Sequence, residues 1–155
     1  MSIVLPSVTD KFKVALFKDS AVDMTREEYN DYLKDCDLSK LKLVEGKLPT
    51  FFIMRKVLPA KLSKKVMAEQ VTFHGGEAQF NFGSIVDVIK AAICGVENPP
   101  DVEESQRINF KADADGSCPD DIVAGLVSMQ VHTDLFAAYQ NVAGGVGISD
   151  VSKKN

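Results

Sequence analysis

The stretch PTFFIMRKVLP, Pro49 to Pro59, decides how the rest of the chain is read. Prolines bound it, and between them Phe51, Phe52, Ile53 and Met54 are β-favouring and apolar on both faces of an extended backbone. Such a run predicts a central strand. Towards the N-terminus, KFKVALFK (Lys11 to Lys18) alternates around Phe12, Val14 and Leu16, the pattern of a half-buried strand. The two together predict a small antiparallel or mixed sheet that includes residues 11–18 and 50–57.

Helical signals surround these strands. Thr25 followed by Glu28 is a capping box that predicts a helix over 25–35, with Met24 stapling onto Tyr29 and with Tyr29, Tyr32 and Leu33 on one face. Pro59 suits the first turn of a helix over 60–70, whose Leu62 and Val66 form an i, i+4 pair. SIVDVIKAAICG predicts a helix over 84–94, with Ser84 as N-cap, Asp87 at N3 and Gly95 just past the end. PDDIVAGLVSMQVHTDLFAAYQNV reads as helices over 119–130 and 133–142, Thr133 capping the second, or as one bent helix.

The connections are weaker. CDLSKLKLVEGKLP reads mostly as loop, with a helical turn ended by Gly46. VTFHGGEAQFNFG predicts a short hairpin around Gly75 and Gly76, VENPPDVEESQ a loop, and RINF a short strand. The expected fold is therefore α+β: one domain over residues 1–143, about five helices on a small sheet, a helical C-terminal half, and a flexible tail over 144–155.

Composition narrows the function classes. A chain of 155 residues can bury roughly 70% of its unfolded surface in one core. Its 45% hydrophobic and 26% charged residues are ordinary globular proportions, and it has no apolar run long enough to span a bilayer. MSIVLPSVTDKFK lacks the basic leader and cleavage site of a secretory signal. Cys36, Cys94 and Cys118 are widely spaced with no C-x-x-C pair, which predicts reduced thiols rather than a disulfide frame or zinc site. A net charge of -4 disfavours generic nucleic-acid binding.

The densest polar segment is FKADADGSCPDD, Phe110 to Asp121. Counted from Asp113, it puts Cys118 where an EF-hand needs glycine and Ala124 where it needs a bidentate glutamate. A helix start explains it better: Ser117 or Cys118 as cap, Pro119 in the first position, and Asp120 and Asp121 complementing the helix dipole. His74 reads as a turn residue and His132 as a linker; neither joins a metal or nucleophile motif. HGGEA and AGGVG lack the strand-to-helix context and lysine of a phosphate cradle. No catalytic, metal-binding or cofactor-binding residue is nominated, and no cofactor is expected.

The main asymmetry is basic: Arg55, Lys56, Lys61, Lys64 and Lys65 occur with no acid between Glu45 and Glu69. A solvated helix face is the preferred reading, ahead of a nucleic-acid contact. Tyr29, Tyr32, Phe51, Phe52, Phe80, Phe82 and Phe136 are read as core residues rather than base-stacking platforms.

Three stretches together carry a resemblance: MTREEYNDYLKDCDLSKLKLVEGKLPTFFIMRKV, with its acidic helix, lysine-leucine link and P-T-x-F-x-x-R strand; VIKAAICGVENPPD; and CPDDIVAGLVSMQVHTDLFAAYQN. Over roughly residues 20 to 143 the chain resembles small morphogenesis proteins of tailed bacteriophages, in particular tail-assembly-chaperone-like proteins. The resemblance implies a non-enzymatic protein of the infected cell's cytoplasm that binds other virion or tail proteins, with no membrane partner and with homo-oligomerisation left open. The expected binding face comprises Lys61, Lys64 and Lys65 with Leu135, Phe136 and Tyr139, masking an apolar segment of the partner until assembly. The alternatives are a structural virion subunit, which would remain in the particle, and a small nucleic-acid-binding or host-defence-countering protein.

Overall fold

In the computed structural model, which describes residues 9–74, 77–80, 82–99 and 108–143, Phe51–Arg55 is indeed the middle strand of a sheet. This strand, β2, lies between β1 (Lys11–Ala15) and β5 (Ile93–Glu97), and both pairings are antiparallel. Five helices accompany it: α1 (Arg26–Leu33), α2 (Ala60–Gln70), α3 (Phe82–Ala92), α4 (Asp120–Ser128) and α5 (His132–Ala143). A short hairpin of β3 (Val71–His74) and β4 (Glu77–Phe80) stands between α2 and α3, where the sequence predicts one. The expected Gly75-Gly76 turn and the 144–155 tail lie outside the described residues. The fold is α+β with a helical C-terminal half.

β2 is amphipathic rather than apolar on both faces. Phe52 and Met54 are buried against the helices, whereas Phe51, Ile53 and Arg55 are half-buried on the other face. The neighbours explain the difference. Register places Lys13 opposite Ile53, and Lys11 opposite Arg55, on that second face. There Lys13 reaches Glu97 at 2.6 Å and lies 5.7 Å from the centre of the Phe51 ring. A strand so flanked needs a dry surface on one side only.

Gly95 belongs to β5 and does not terminate a helix. It faces Ile53, and an added Cβ would come within 3.3 Å of Ile53 Cδ1, so glycine is what lets the two strands close at this point. The register shifts between Ile53 and Met54, which pair with Gly95 and Ile93, leaving Cys94 as the extra residue of a bulge. α3 correspondingly ends at Ala92, and Arg55 Nη1 donates to the Ala91 carbonyl at 2.7 Å, so a side chain from β2 serves a helix terminus that local sequence would have assigned to glycine. α3 also begins at Phe82, two residues before the predicted cap Ser84. RINF is not a strand over its described residues 108–110, and Val96 and Glu97 of the expected loop are strand.

The outer edge of β1 is closed by two tyrosines. Tyr29 Oη donates to the Ala15 carbonyl at 2.8 Å, Tyr32 Oη accepts from the Ala15 amide at 3.2 Å, and Tyr32 Oη donates to the Lys13 carbonyl at 3.3 Å. Edge groups that could template another chain are thereby occupied. The capping box of α1 is what orients both rings: Thr25 Oγ1 accepts from the Glu28 amide and Glu28 Oε1 accepts from the Thr25 amide. Arg26 in the same turn lies over the Phe17 and Tyr29 rings and makes a bidentate pair with Asp134 of α5, at 3.0 and 2.5 Å.

The core fills the space between the sheet and the helices, with α3 packed against both α2 and α5. The joint between α4 and α5 is a Schellman motif: Gln130 adopts φ +59°, its amide bonds the Val127 carbonyl, and the Val131 amide bonds the Leu126 carbonyl. The C-terminal segment is therefore two helices. α5 starts at His132, not behind a Thr133 cap, because Val131 already accepts the first helical bond from Leu135.

Candidate functional site

The acidic loop is a clasp. Lys90 Nζ, from the last turn of α3, donates to Asp113 Oδ2 at 2.8 Å and to the Cys118 carbonyl at 2.6 Å, and pairs with Asp120 Oδ1 at 2.9 Å. Arg55 Nη2 donates to the Gly116 carbonyl at 2.8 Å. Gly116, at φ +87°, reverses the chain beneath that guanidinium. Ser117 Oγ bonds Asp115 Oδ1 at 2.5 Å and so does not cap α4, whose cap position is taken by Pro119 without a side-chain bond. The predicted Ser117 or Cys118 cap is therefore absent, and the loop before α4 is held instead by two cations from distant elements that donate to its carbonyls and to Asp113. Among the described residues, no group of three or more His, Cys, Asp or Glu side chains is placed to hold a metal ion.

Two of the three thiols are shielded. Cys36 and Cys118 are buried, and burial pushes each thiol up to about 12, far from the range of a nucleophilic thiolate. His132 is buried in the first turn of α5 rather than standing in a linker, and His74 is the last residue of β3. Tyr29, Tyr32, Phe52 and Phe136 are core residues, as expected; the side chains of Phe80 and Phe82 lie outside the described set.

The predicted binding face does not form one surface. Leu135 is fully buried, Tyr139 is 2% exposed and Phe136 is 8% exposed, because α5 turns this stripe onto α3 and α1. These three side chains are core, and a docking face through them is corrected accordingly. Lys61 and Lys64 are exposed on α2, which packs against α3; the Lys65 side chain lies outside the described set.

An apolar surface does exist elsewhere. A groove of about 990 Å³ opens between the end of β1, the segment before β2, residues 98–99 and 108–109, and one face of α4. Its floor is Leu16, Phe52 and Leu126, all buried, and its rims carry Leu48 at 73% exposure and Met129 at 47%. Asp121, Ile122, Gly125, Leu126 and Met129 recur at helical spacing and present one face of α4 to it. Side-chain hydrogen bonds hold the walls in place. Asp19 accepts from the Ala21 and Thr50 amides at 2.9 and 2.8 Å, and Lys18 Nζ donates to the Met129 carbonyl at 2.6 Å, at the C-terminal end of α4. Thr50 Oγ1 adds a bond to the Asn98 carbonyl at 2.8 Å.

The groove has the apolar lining and the size of a pocket for a small ligand or a short segment. Leu48 sits in a lysine-leucine stretch that has no clear period, and Met129 is more than a hundred residues away from Leu16, so only the folded chain brings them together. Gly125 in the interior of a predicted helix was the one available signal. No protein-family model matches the chain, and no curated protein or solved structure matches it either.

Proposed function

We propose that this protein is a non-enzymatic binding protein that takes an apolar segment of another virion or tail protein into the α4 groove and masks it until assembly. The observation that carries the binding role is the groove itself: a buried floor of Leu16, Phe52 and Leu126 with Leu48 and Met129 left exposed above it. Isolated exposed apolar residues are ordinary, but a concave apolar surface with apolar rims is the form that captures a partner's side chains. The phage setting rests on the three stretches that resemble tail-assembly-chaperone-like proteins, and it places the work in the infected cell's cytoplasm. A binding role in preference to catalysis is supported by the buried, neutral thiols of Cys36 and Cys118 and by the pairing of Asp113 and Asp120 with Lys90.

The test is a pull-down with tagged protein from infected cells, divided between soluble lysate and purified particles, with Leu48→Asp as the matched control. A tail protein recovered from lysate with the native chain, lost with Leu48→Asp and absent from particles, is the expected result. Fixed stoichiometry in particles would make the chain a structural subunit instead. Recovery of nucleic acid alone, weakening steeply with salt, would overturn both readings.

A further inference from the structure

Among the described residues, none packs against the open side of Gly125. It lies mid-way along α4 on the groove wall, it is exposed, and a Cβ added there meets no heavy atom within 4 Å. Glycine weakens a helix interior, so neither helix propensity nor packing within the chain asks for it. What it does provide is an approach to the α4 backbone unobstructed by a side chain, and the side chains at a helix crossing set how closely the two axes come.

The charges at the two ends of α4 say what could approach. Asp121 is exposed at the N-terminal end, and the Lys18 ammonium sits on the Met129 carbonyl at the C-terminal end. Asp121 and Met129 are each four residues, about one turn, from Gly125. A two-fold axis through Gly125 therefore sets Asp121 of one copy against Met129 and Lys18 of the other, twice over. The same operation brings the exposed rim residue Met129 towards the other copy's groove and sets the two helix dipoles antiparallel.

We propose that the α4 groove is the interface of an isologous homodimer in which two α4 helices cross antiparallel at Gly125, with Asp121 of each copy facing Lys18 of the other. The self-complementary charge pattern and the bare backbone at the axis fit a second copy of this chain. If the groove also takes a client, a consequence resting on the function proposed above, self-association and capture compete for one surface, and the dimer keeps the groove covered when no client is present.

The experiment is sedimentation equilibrium of the purified full chain, without any client, from low micromolar to near-millimolar concentration. The expected result is a concentration-dependent rise from the 16.9 kDa monomer to twice that mass. Asp121→Lys and Lys18→Asp should each weaken association about ten-fold or more by placing like charges face to face, and the double variant should restore it. Gly125→Ala should raise the thermal midpoint of the monomer while weakening the dimer, a combination that a misfolded variant would not give. A chain that stays monomeric throughout the range overturns the proposal. So does a dimer indifferent to both charge reversals, whose interface must lie elsewhere. Neither result depends on a client, so a failed dimer and a failed capture assay remain distinguishable.

Discussion

Gln130→Gly should stabilise this protein. Gln130 occupies the C′ position after α4 with φ +59°, and its exposed side chain is not needed for the two backbone bonds that close the motif. Holding a residue with a Cβ in the left-handed region costs about 1–2 kcal/mol. Glycine removes that strain but loses about 0.5–1 kcal/mol through its greater unfolded-state entropy. The net expectation is a gain of about 0–1.5 kcal/mol, centred near 0.75, and at this chain length each kcal/mol moves the midpoint by about 2–4 °C, which gives a central rise of about 1.5–3 °C. Differential scanning calorimetry on the native chain, Gln130→Gly and Gln130→Val separates backbone strain from side-chain effects. Val keeps the Cβ and adds branching, so its midpoint should fall. A glycine variant less stable than the native chain, or a valine variant equal to it, would refute the assignment of backbone strain to Gln130.

Two further outcomes follow from burial. Leu135→Ala removes a fully buried side chain from the contact of α5 with α3 and should cost about 2–5 kcal/mol, read as a lower urea midpoint at unchanged slope; a loss within the error of a surface substitution would place Leu135 outside the core. Burial also pushes Cys36, Cys118, Tyr32 and Tyr139 up to about 12, from ordinary values of 9 for the thiols and 10 for the phenols. Between pH 9 and 12 the unfolded chain gives up these protons while the native chain keeps them, so stability is full below that window and falls as pH rises through it. Urea midpoints measured at pH 8, 10 and 11 should fall in that order. In a Cys94→Ser background, thiolate absorbance should not develop near pH 9 while the chain stays folded; its appearance there would contradict the burial of both remaining thiols.

The parts of the fold legible in the sequence are those whose cause lies within a few residues. The Thr25–Glu28 box, the start of α2 behind Pro59 and the central place of Phe51–Arg55 each follow from side chains meeting their own backbone or from a pattern repeated along one element. Gly95 shows the limit. Locally it is a good helix terminator, yet a close strand approach to Ile53 and a bond from Arg55 to the Ala91 carbonyl carry the chain straight from α3 into β5. Ser117 and the aspartates around it likewise suit a cap, but Lys90 and Arg55, distant in sequence, hold that loop in another shape.

Orientation about a helix axis divides the two levels most clearly. Sequence by itself establishes that Leu135, Phe136 and Tyr139 form an apolar stripe, because a period near four residues is a property of the helix alone. Whether such a stripe meets solvent or the core depends on which helices arrive beside it, and here α3 and α1 bury it. Among the described residues, an apolar face left open is shared by α4, Leu16, Phe52 and the loop bearing Leu48, segments with no common period in the chain. Only the tertiary structure could decide that, since a groove is made of separations in space and a sequence pattern records only separations along the backbone.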